Sequence, residues 1–403
     1  MTVAEMKPTP ETGPSASLQP PLRVVGLFAG IGGIEAGLHR AGHSCELLCE
    51  IEDAAAAVLT ARFPGTPLVR DILELDAFPE CDLVAGGFPC QDLSQAGRTA
   101  GIDGRNSGLV KRVFELLEKA ERAPRWLLLE NVPFMLQLER GDAMRYLARR
   151  LGELGYRWAY RVVDARSFGL PQRRQRVILL ASQTHDPREI LFHGDRGEPG
   201  TPNYHGLACG FYWTEGIRGL GWAVDGVPTL KGGSTIGIPS PPAIWMPDGR
   251  IGTPDLRDAE RMQGFEAEWT APAGELGRRG ERHRWKLVGN AVSVPVAEWV
   301  GRRLRNPRPY DDSLHVELSA DSAWPRAAWG DDSGTYRMDV SAWPVRVPYQ
   351  SLATFLRFPM QPLSERAAAG FLHRTSESTL RFPDGLLDAV EAHLRTMRDL
   401  AAA

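Results

Sequence analysis

Between residues 22 and 183, five short apolar runs alternate with helix-like segments. The runs are 22–28 (LRVVGLF), 46–51 (ELLCEI), 82–85 (DLVA), 126–129 (WLLL) and 176–181 (RVILLA). Segments 32–41, 53–62, 108–122 and 140–154 lie between them; in 108–122, Leu109, Val113, Leu116 and Leu117 fall at helical spacing. Runs this short and this uniformly apolar read as strands buried on both faces, with the helices as their crossovers. The pattern predicts an α/β fold with a mostly parallel sheet covered by helices on both sides. Ligands of such sheets bind beyond the carboxyl ends of the strands, so the residues just after each run are the ones to read for chemistry.

The rest of the chain divides by composition. Residues 1–21 are rich in Pro, Ser and Thr, show no signal-peptide pattern and read as a disordered tail. The sheet domain occupies 22–183. Residues 184–255 are dense in Gly, Pro and aromatics, among them Tyr212, Trp213, Trp222 and Trp245, and predict a small loop-rich module. Helical pattern resumes near 255–265 and 290–304, so 256–305 returns to the sheet domain. Residues 306–403 form a C-terminal extension, read as packing against the core. It contains Ser322-Ala323-Trp324-Pro325 and Ser341-Ala342-Trp343-Pro344, too short to be a repeat. Its last helix is expected to start at Asp384 as N-cap, with Leu387, Val390, Leu394 and Met397 on one face.

Hydrophobic residues make up 43% of the 403 and charged residues 24%, enough to bury a large core, which excludes a disordered or collagen-like chain. No apolar run approaches the ~20 residues of a membrane span. The net charge of −3 does not point to nucleic acid, although 42 Arg stand against 5 Lys. Arg suits phosphates and base edges better than Lys, yet codon usage accounts for the excess equally well. The five cysteines (Cys45, Cys49, Cys81, Cys90 and Cys209) are odd in number and include no paired CxxC units, so no metal is expected and a reducing cytoplasm is the natural compartment.

Four strand ends carry candidate chemistry. The first runs into Phe28-Ala29-Gly30-Ile31-Gly32-Gly33 before a helix. Glycines at such a turn let backbone approach a ligand, although a plain tight turn reads as well. Glu50 follows the second run at the place where an acid suits ribose hydroxyls, and Asp71 follows Arg70 further on. Neither GxGxxG nor a GxxxxGK[ST] loop is present, so a nucleoside cofactor without phosphates to cradle fits best. The third strand end is Gly86-Gly87-Phe88-Pro89-Cys90, with Pro89 stiffening the turn and glycines at 97, 101, 104 and 108 forming a lid-like stretch. Cys90 thus stands on the ligand side, where a favoured thiolate is a nucleophile. WLLL ends in Glu130-Asn131-Val132-Pro133, an acid that reads equally as a proton donor or a helix cap. Arg166, Arg173, Arg174 and Arg176 cluster without an acid, and Arg174 and Arg176, two apart, would project from one side of an extended chain.

Taken in order, FAGIGG, GGFPCQ with SxxG, ENV, QRRQRV and VGNAVSVPV resemble the DNA cytosine-5 methyltransferases over roughly residues 22–183 and 255–303. The resemblance implies a Rossmann-like methyltransferase sheet that binds S-adenosylmethionine (SAM). It places Phe28, Ala29, Gly30, Gly32 and Gly33 in the cofactor loop, Glu50 on the ribose and Asp71 on the adenine amino group. Ile51 stands where the family often has an aromatic residue, and Ile72, Pro89, Gly289, Asn290 and Val292 would complete the pocket. Cys90 matches the nucleophile, Glu130 the acid, and Arg174 with Arg176 the pair that orients the cytosine.

That chemistry needs these residue types. Thiolate attack at carbon 6 makes carbon 5 nucleophilic enough to take a methyl group; on the resemblance, Glu130 near ring nitrogen 3 would offset developing charge and Arg176, with Arg174 beside it, would hold the base oxygen. The base must leave the duplex first, and the lid would close behind it with Ser94 and Arg98 at the backbone. Target recognition would fall to 184–255 and the basic stretch 278–286, with Arg284 on DNA; Arg218, Lys231 and Arg250 are not distinguished from one another by sequence. The expected partners are double-stranded DNA and cognate restriction or defence proteins, in a bacterial cytoplasm at the nucleoid, with no membrane or metal. An RNA cytosine-5 methyltransferase and a catalytically silent DNA-binding protein of the same fold remain the alternatives.

Overall fold

The computed structural model describes residues 18–88, 107–200, 202–233, 240–277, 280–319 and 321–402. Most of the expected tail, together with Pro89, Cys90, Ser94 and Arg98, lies outside the described residues.

The first eight strands are β1 (Arg23–Leu27), β2 (Ser44–Cys49), β3 (Leu68–Val69), β4 (Leu83–Gly87), β5 (Trp126–Asn131), β6 (Arg157–Asp164), β7 (Gln172–Arg173) and β8 (Gln175–Ser182). The apolar runs therefore form strands, and α1 (Gly33–Arg40), α2 (Asp53–Arg62), α3 (Ser107–Lys119) and α4 (Asp142–Glu153) fall between them as the periodicity predicts. Side chains alternate across the sheet. Val25, Leu27, Leu127 and Leu129 join one core with α3 and α4, while Val24, Trp126 and Leu128 join a second core on the opposite face. Helix α5 (Arg188–Leu191) adds Ile190 and Leu191 to that second core.

Strands β1 to β5 are mutually parallel, but β8 runs antiparallel to β5 and β6 antiparallel to β8. Half of the sheet is thus not parallel. Strand β6 carries a charge in its apolar interior, which hides it from hydropathy. Arg161 is buried, and its guanidinium donates to the carbonyls of Leu191, Gly194 and Ser341 and to the Asp195 carboxylate. Burial lowers its pKa to about 10.

The middle of the chain is more regular than a loop-rich module. It forms β9 (Cys209–Phe211), β10 (Trp222–Val224), β11 (Val227–Pro228), β12 (Ala243–Trp245) and β13 (Ile251–Thr253). Strands β9, β10, β12 and β13 pair antiparallel, while β11 pairs parallel with β7 in a separate two-stranded sheet just ahead of β8. Strands of two or three residues interrupted by Gly and Pro leave no alternation long enough to read. Helices α6 (Leu256–Met262), α7 (Ala271–Gly274), α8 (Gly280–Asn290) and α9 (Val294–Arg305) follow, and α9 packs Val296, Trp299 and Val300 into the second core.

Residues beyond 305 contribute to both sheets. Strands β14 (His315–Glu317), β15 (Ala327–Asp331) and β16 (Gly334–Met338) extend the large sheet, whose order becomes β14-β16-β15-β6-β8-β5-β4-β1-β2-β3. After α10 (Leu352–Phe355), β17 (Gln361–Pro362) pairs with β13 and closes the five-stranded sheet. Helices α11 (Glu365–Ser376) and α12 (Leu386–Ala402) cover that sheet with Phe371, Leu386, Val390 and Leu394. The two SAWP copies do different work. Trp324 packs on Trp158 and Tyr160, whereas Trp343 is buried beneath Arg166.

Candidate active site

The turn after β1 is left-handed at three of five residues: Phe28 (φ 52°), Gly30 (φ 57°) and Gly32 (φ 80°). Phe28 adopts this conformation without being glycine, a strain typical of functional turns. Glu50 stabilises it. One carboxylate oxygen accepts from the Gly30 N–H at 2.8 Å and the other from the Glu52 N–H at 2.8 Å. Each oxygen keeps a lone pair for a hydroxyl donor, which fits a ribose. Arg70 braces the loop after β2 through the carbonyls of Glu50 (3.0 Å) and Ile51 (2.6 Å) and the Asp53 carboxylate (2.8 Å). Asp71 accepts from the Leu73 N–H at 2.9 Å through one oxygen. Ile51 is 68% exposed and Leu73 is 61% exposed, two apolar side chains suited to a planar ring. Ile72, also expected at the cofactor, has its side chain buried in the core.

The last motif meets this loop at α1. A Cβ on Gly33 would lie 2.2 Å from the Val292 carbonyl oxygen, and one on Gly37 would lie 2.5 Å from that of Val294. Only a bare backbone permits so close a crossing.

The catalytic end lies two strands away. Gly86 pairs with Leu27 and Gly87 with Glu130, so the chain leading to Cys90 leaves the sheet between the glycine loop and the acid. A Cβ on Gly87 would come within 3.1 Å of Glu130 Oε2 and 3.7 Å of Val292 Cγ2. Arg176 Nε stands 2.7 Å from Glu130 Oε1, so acid and cation are already paired.

Arg174 does not join that pair. Strand β7 ends at Arg173 and β8 begins at Gln175, so the extended run breaks at Arg174. Its guanidinium turns inward, is 1% exposed and donates to the carbonyls of Leu230 (3.0 Å), Gly289 (3.2 Å) and Ala291 (2.7 Å). It ties the middle unit and the last motif to the sheet and is not available to orient a base. Arg284 is likewise committed, to Thr270 Oγ1 (3.0 Å) and to the carboxylates of Glu268 (2.7 Å) and Glu260 (3.3 Å), and is not a free DNA contact.

A cleft of about 690 Å³ opens beside Arg176, lined also by Arg173, Pro133, Tyr212, Lys231 and Asn290. Asn290, expected at the cofactor, thus lines this cleft. Lys231 Nζ sits 4.2 Å from the Tyr212 ring centre and 3.1 Å from Glu215 Oε2. Burial raises the Tyr212 phenol to about 12, and its hydroxyl donates to the Thr229 carbonyl at 2.7 Å.

The family model for C-5 cytosine-specific DNA methylases matches residues 22–199. Over 380 residues, 92% of this chain and 97% of its relative, the sequence is 51% identical to the type II methyltransferase M2.BsuMI of Bacillus subtilis (strain 168). The chain belongs to the C-5 cytosine-specific DNA methylase family.

A type II methyltransferase of Moraxella sp, M.MspI, is 26% identical to this methylase over 73% of the chain and 75% of that protein. The fold is similar to that of a solved methyltransferase from Entamoeba histolytica, with a TM-score of 0.52, 14% identity, and 71% of this chain and 98% of that one covered.

Residues that shape the methylase site include one that sequence did not single out and two that it named without a role. Trp269 donates its Nε1–H to the Ile31 carbonyl at 2.9 Å and pins the glycine loop from above. Tyr212 and Lys231 form a cleft wall, whereas Arg250, a candidate of equal standing in the sequence, pairs with Asp248. No local pattern separates Lys231 from the other cations, because its place follows from the β11–β7 pairing.

Proposed function

We propose that this methylase moves the methyl group of SAM to carbon 5 of a cytosine extruded from a specific duplex DNA sequence, as the modification arm of a bacterial restriction or phage-defence system acting at the nucleoid. The observation that carries the reading is the meeting of Gly87, the Glu130–Arg176 pair and Val292 at the carboxyl ends of β4 and β5. The glycine loop leaves β1, two strands from β5, hence about 10 Å away at ordinary strand spacing. That separation suits a methyl donor lying alongside a base.

The residues present fit SAM. Glu50 offers two acceptors at the loop tip, Ile51 and Leu73 leave apolar surface for the adenine, and Asp71 keeps an oxygen for its amino group. SAM supplies an electrophilic methyl on a sulfonium. The chain's own residues prepare the acceptor. Glu130 and Arg176 face the ring nitrogen 3 and oxygen 2 edge of the cytosine, where charge develops as the Cys90 thiolate adds to carbon 6. After methylation a base removes the carbon 5 proton, the double bond re-forms and the thiolate leaves. The Tyr212–Lys231 wall and the five-stranded unit behind it would face the duplex and carry target recognition.

The test is methyl transfer from labelled SAM to duplex DNA and to RNA, followed by trapping on DNA containing 5-fluorocytosine. Labelled duplex DNA and a covalent adduct are expected, with Cys90→Ser abolishing both while SAM binding persists. Turnover by that variant would show that the nucleophile is another residue. Label in RNA alone would assign the RNA substrate.

A further inference from the structure

A second cleft, of about 760 Å³, lies on the far side of Arg173, which lines both clefts. Its walls come from five stretches of chain: Arg166 and Arg173 before β8, residues 198–200 with Pro202, residues 220–225 around β10, and the C-terminal residues 343–349 and 380–381.

Its charges are unevenly satisfied. Arg166 is neutralised by Asp164 at 2.8 Å, and Glu198 by Arg326 at 2.6 Å. Asp225 accepts from the Leu352 N–H at 2.7 Å and the Tyr349 hydroxyl at 3.2 Å. Three cations remain. Arg346 donates to the carbonyls of Arg196 and Gly197, and among the described residues no carboxylate pairs with Arg173, Arg346 or Arg381. The same walls carry Val347, Tyr349 and Leu380, three of the eleven large apolar side chains exposed among the described residues. Trp222, part-exposed, is held at the rim by its Nε1–H bond to the Arg381 carbonyl at 2.9 Å.

Flat apolar faces interleaved with unpaired guanidiniums match a ligand with ring faces and a row of negative charges, which is a nucleic-acid strand. Continuity with the first cleft through Arg173 selects the strand already engaged there over a separate acidic protein. We propose that this second cleft takes the DNA strand flanking the target, with Arg346 and Arg381 on phosphates and Tyr349 and Trp222 against sugars or bases. Residues 343–381 thereby extend the substrate site. The assignment rests on the DNA methyltransferase reading above.

The test uses the full chain with Arg346→Gln and Arg381→Gln combined. Once methylated sites are mapped, KM and kcat are measured over a range of salt on a long duplex and on one trimmed close to the target. On the long duplex KM should rise several-fold to about tenfold, and the slope of log affinity against log salt should fall by about 2, with kcat unchanged. The trimmed duplex should show neither change, and Arg346→Lys with Arg381→Lys should restore the slope. Equal KM and slope for variant and wild type on the long duplex, or equal weakening on both duplexes, would overturn the proposal. So would loss of polyglutamate binding with DNA binding intact, which would assign the cleft to an acidic protein. If the wild type methylates no DNA at all, the functional reading fails first, and direct binding of the same duplexes then decides the cleft on its own.

Discussion

Arg176 Nε lies 2.7 Å from Glu130 Oε1, and both side chains are largely withdrawn from solvent where β5 ends and β8 begins. An acid and a cation held this close form one unit that can meet the edge of a pyrimidine with a fixed geometry. Glu130→Gln keeps the shape and removes the charge. It should lower single-turnover methyl transfer by about 10²–10³-fold with little change in SAM affinity. Arg176→Ala should lose as much activity and also about 1–3 kcal/mol of stability, because the buried carboxylate loses its partner. Stopped-flow or quench assays with denaturant melts measure both. Activity within a few-fold of wild type in Glu130→Gln would remove Glu130 from the mechanism.

Arg174 should behave differently from its neighbour. Arg174→Ala leaves the carbonyls of Leu230, Gly289 and Ala291 without their donor. It should cost about 3 kcal/mol or more in unfolding free energy, and Arg174→Lys should recover only part, since an ammonium cannot reproduce the planar fork. A variant with native stability and a pure kcat loss would return Arg174 to base orientation.

Two glycines of the cofactor loop separate steric from conformational demand. In Gly33→Ala the new methyl meets the Val292 carbonyl at 2.2 Å, so α1 and the last motif must move apart; the expected loss is about 1–3 kcal/mol together with weaker SAM binding. Gly30→Ala meets nothing within 4 Å but is left-handed at φ 57°, so it should lose only about 1–2 kcal/mol. Thermal melts and calorimetric titration with SAM distinguish the two. Gly33→Ala with native SAM affinity would show that the crossing does not shape the pocket.

Glu35, on α1, is fully buried beneath Gly26, and neither carboxyl oxygen has a hydrogen-bond partner among the described residues. Burial raises its pKa from 4.5 to about 8. The native state therefore keeps its proton while the unfolded chain loses it. The associated stability is complete below pH 4.5, declines as pH rises and is gone above about pH 8. Glu35→Gln should match the wild type in acid and become progressively more stable than it up to about pH 8. A Tm difference that stays constant between pH 5 and pH 9 would rule this out.

Much of the fold and part of the site were legible without coordinates. The parallel strands, their crossover helices and the turn at Phe28–Gly33 follow from hydropathy period and glycine placement, which act between residues close in sequence. So does Glu50, one strand further on, because the βαβ unit places it opposite Gly30. Strand β6 escaped because buried Arg161 breaks its apolar pattern. The small sheet escaped because its strands are too short to alternate.

The sequence by itself determined the layered α/β frame, the order of the motifs along it and which strand ends carry an acid, a cation or a glycine turn. Only tertiary structure decided which cations are free. Arg174 is satisfied by carbonyls 56 to 117 residues away, Arg284 by acids of α6 and of the segment before α7, while among the described residues no carboxylate pairs with Arg173 or Arg381 beside the clefts. It also decided that residues beyond 305 complete both sheets. Pairing of charges and strands depends on distance in space, and no local pattern of residues encodes that distance.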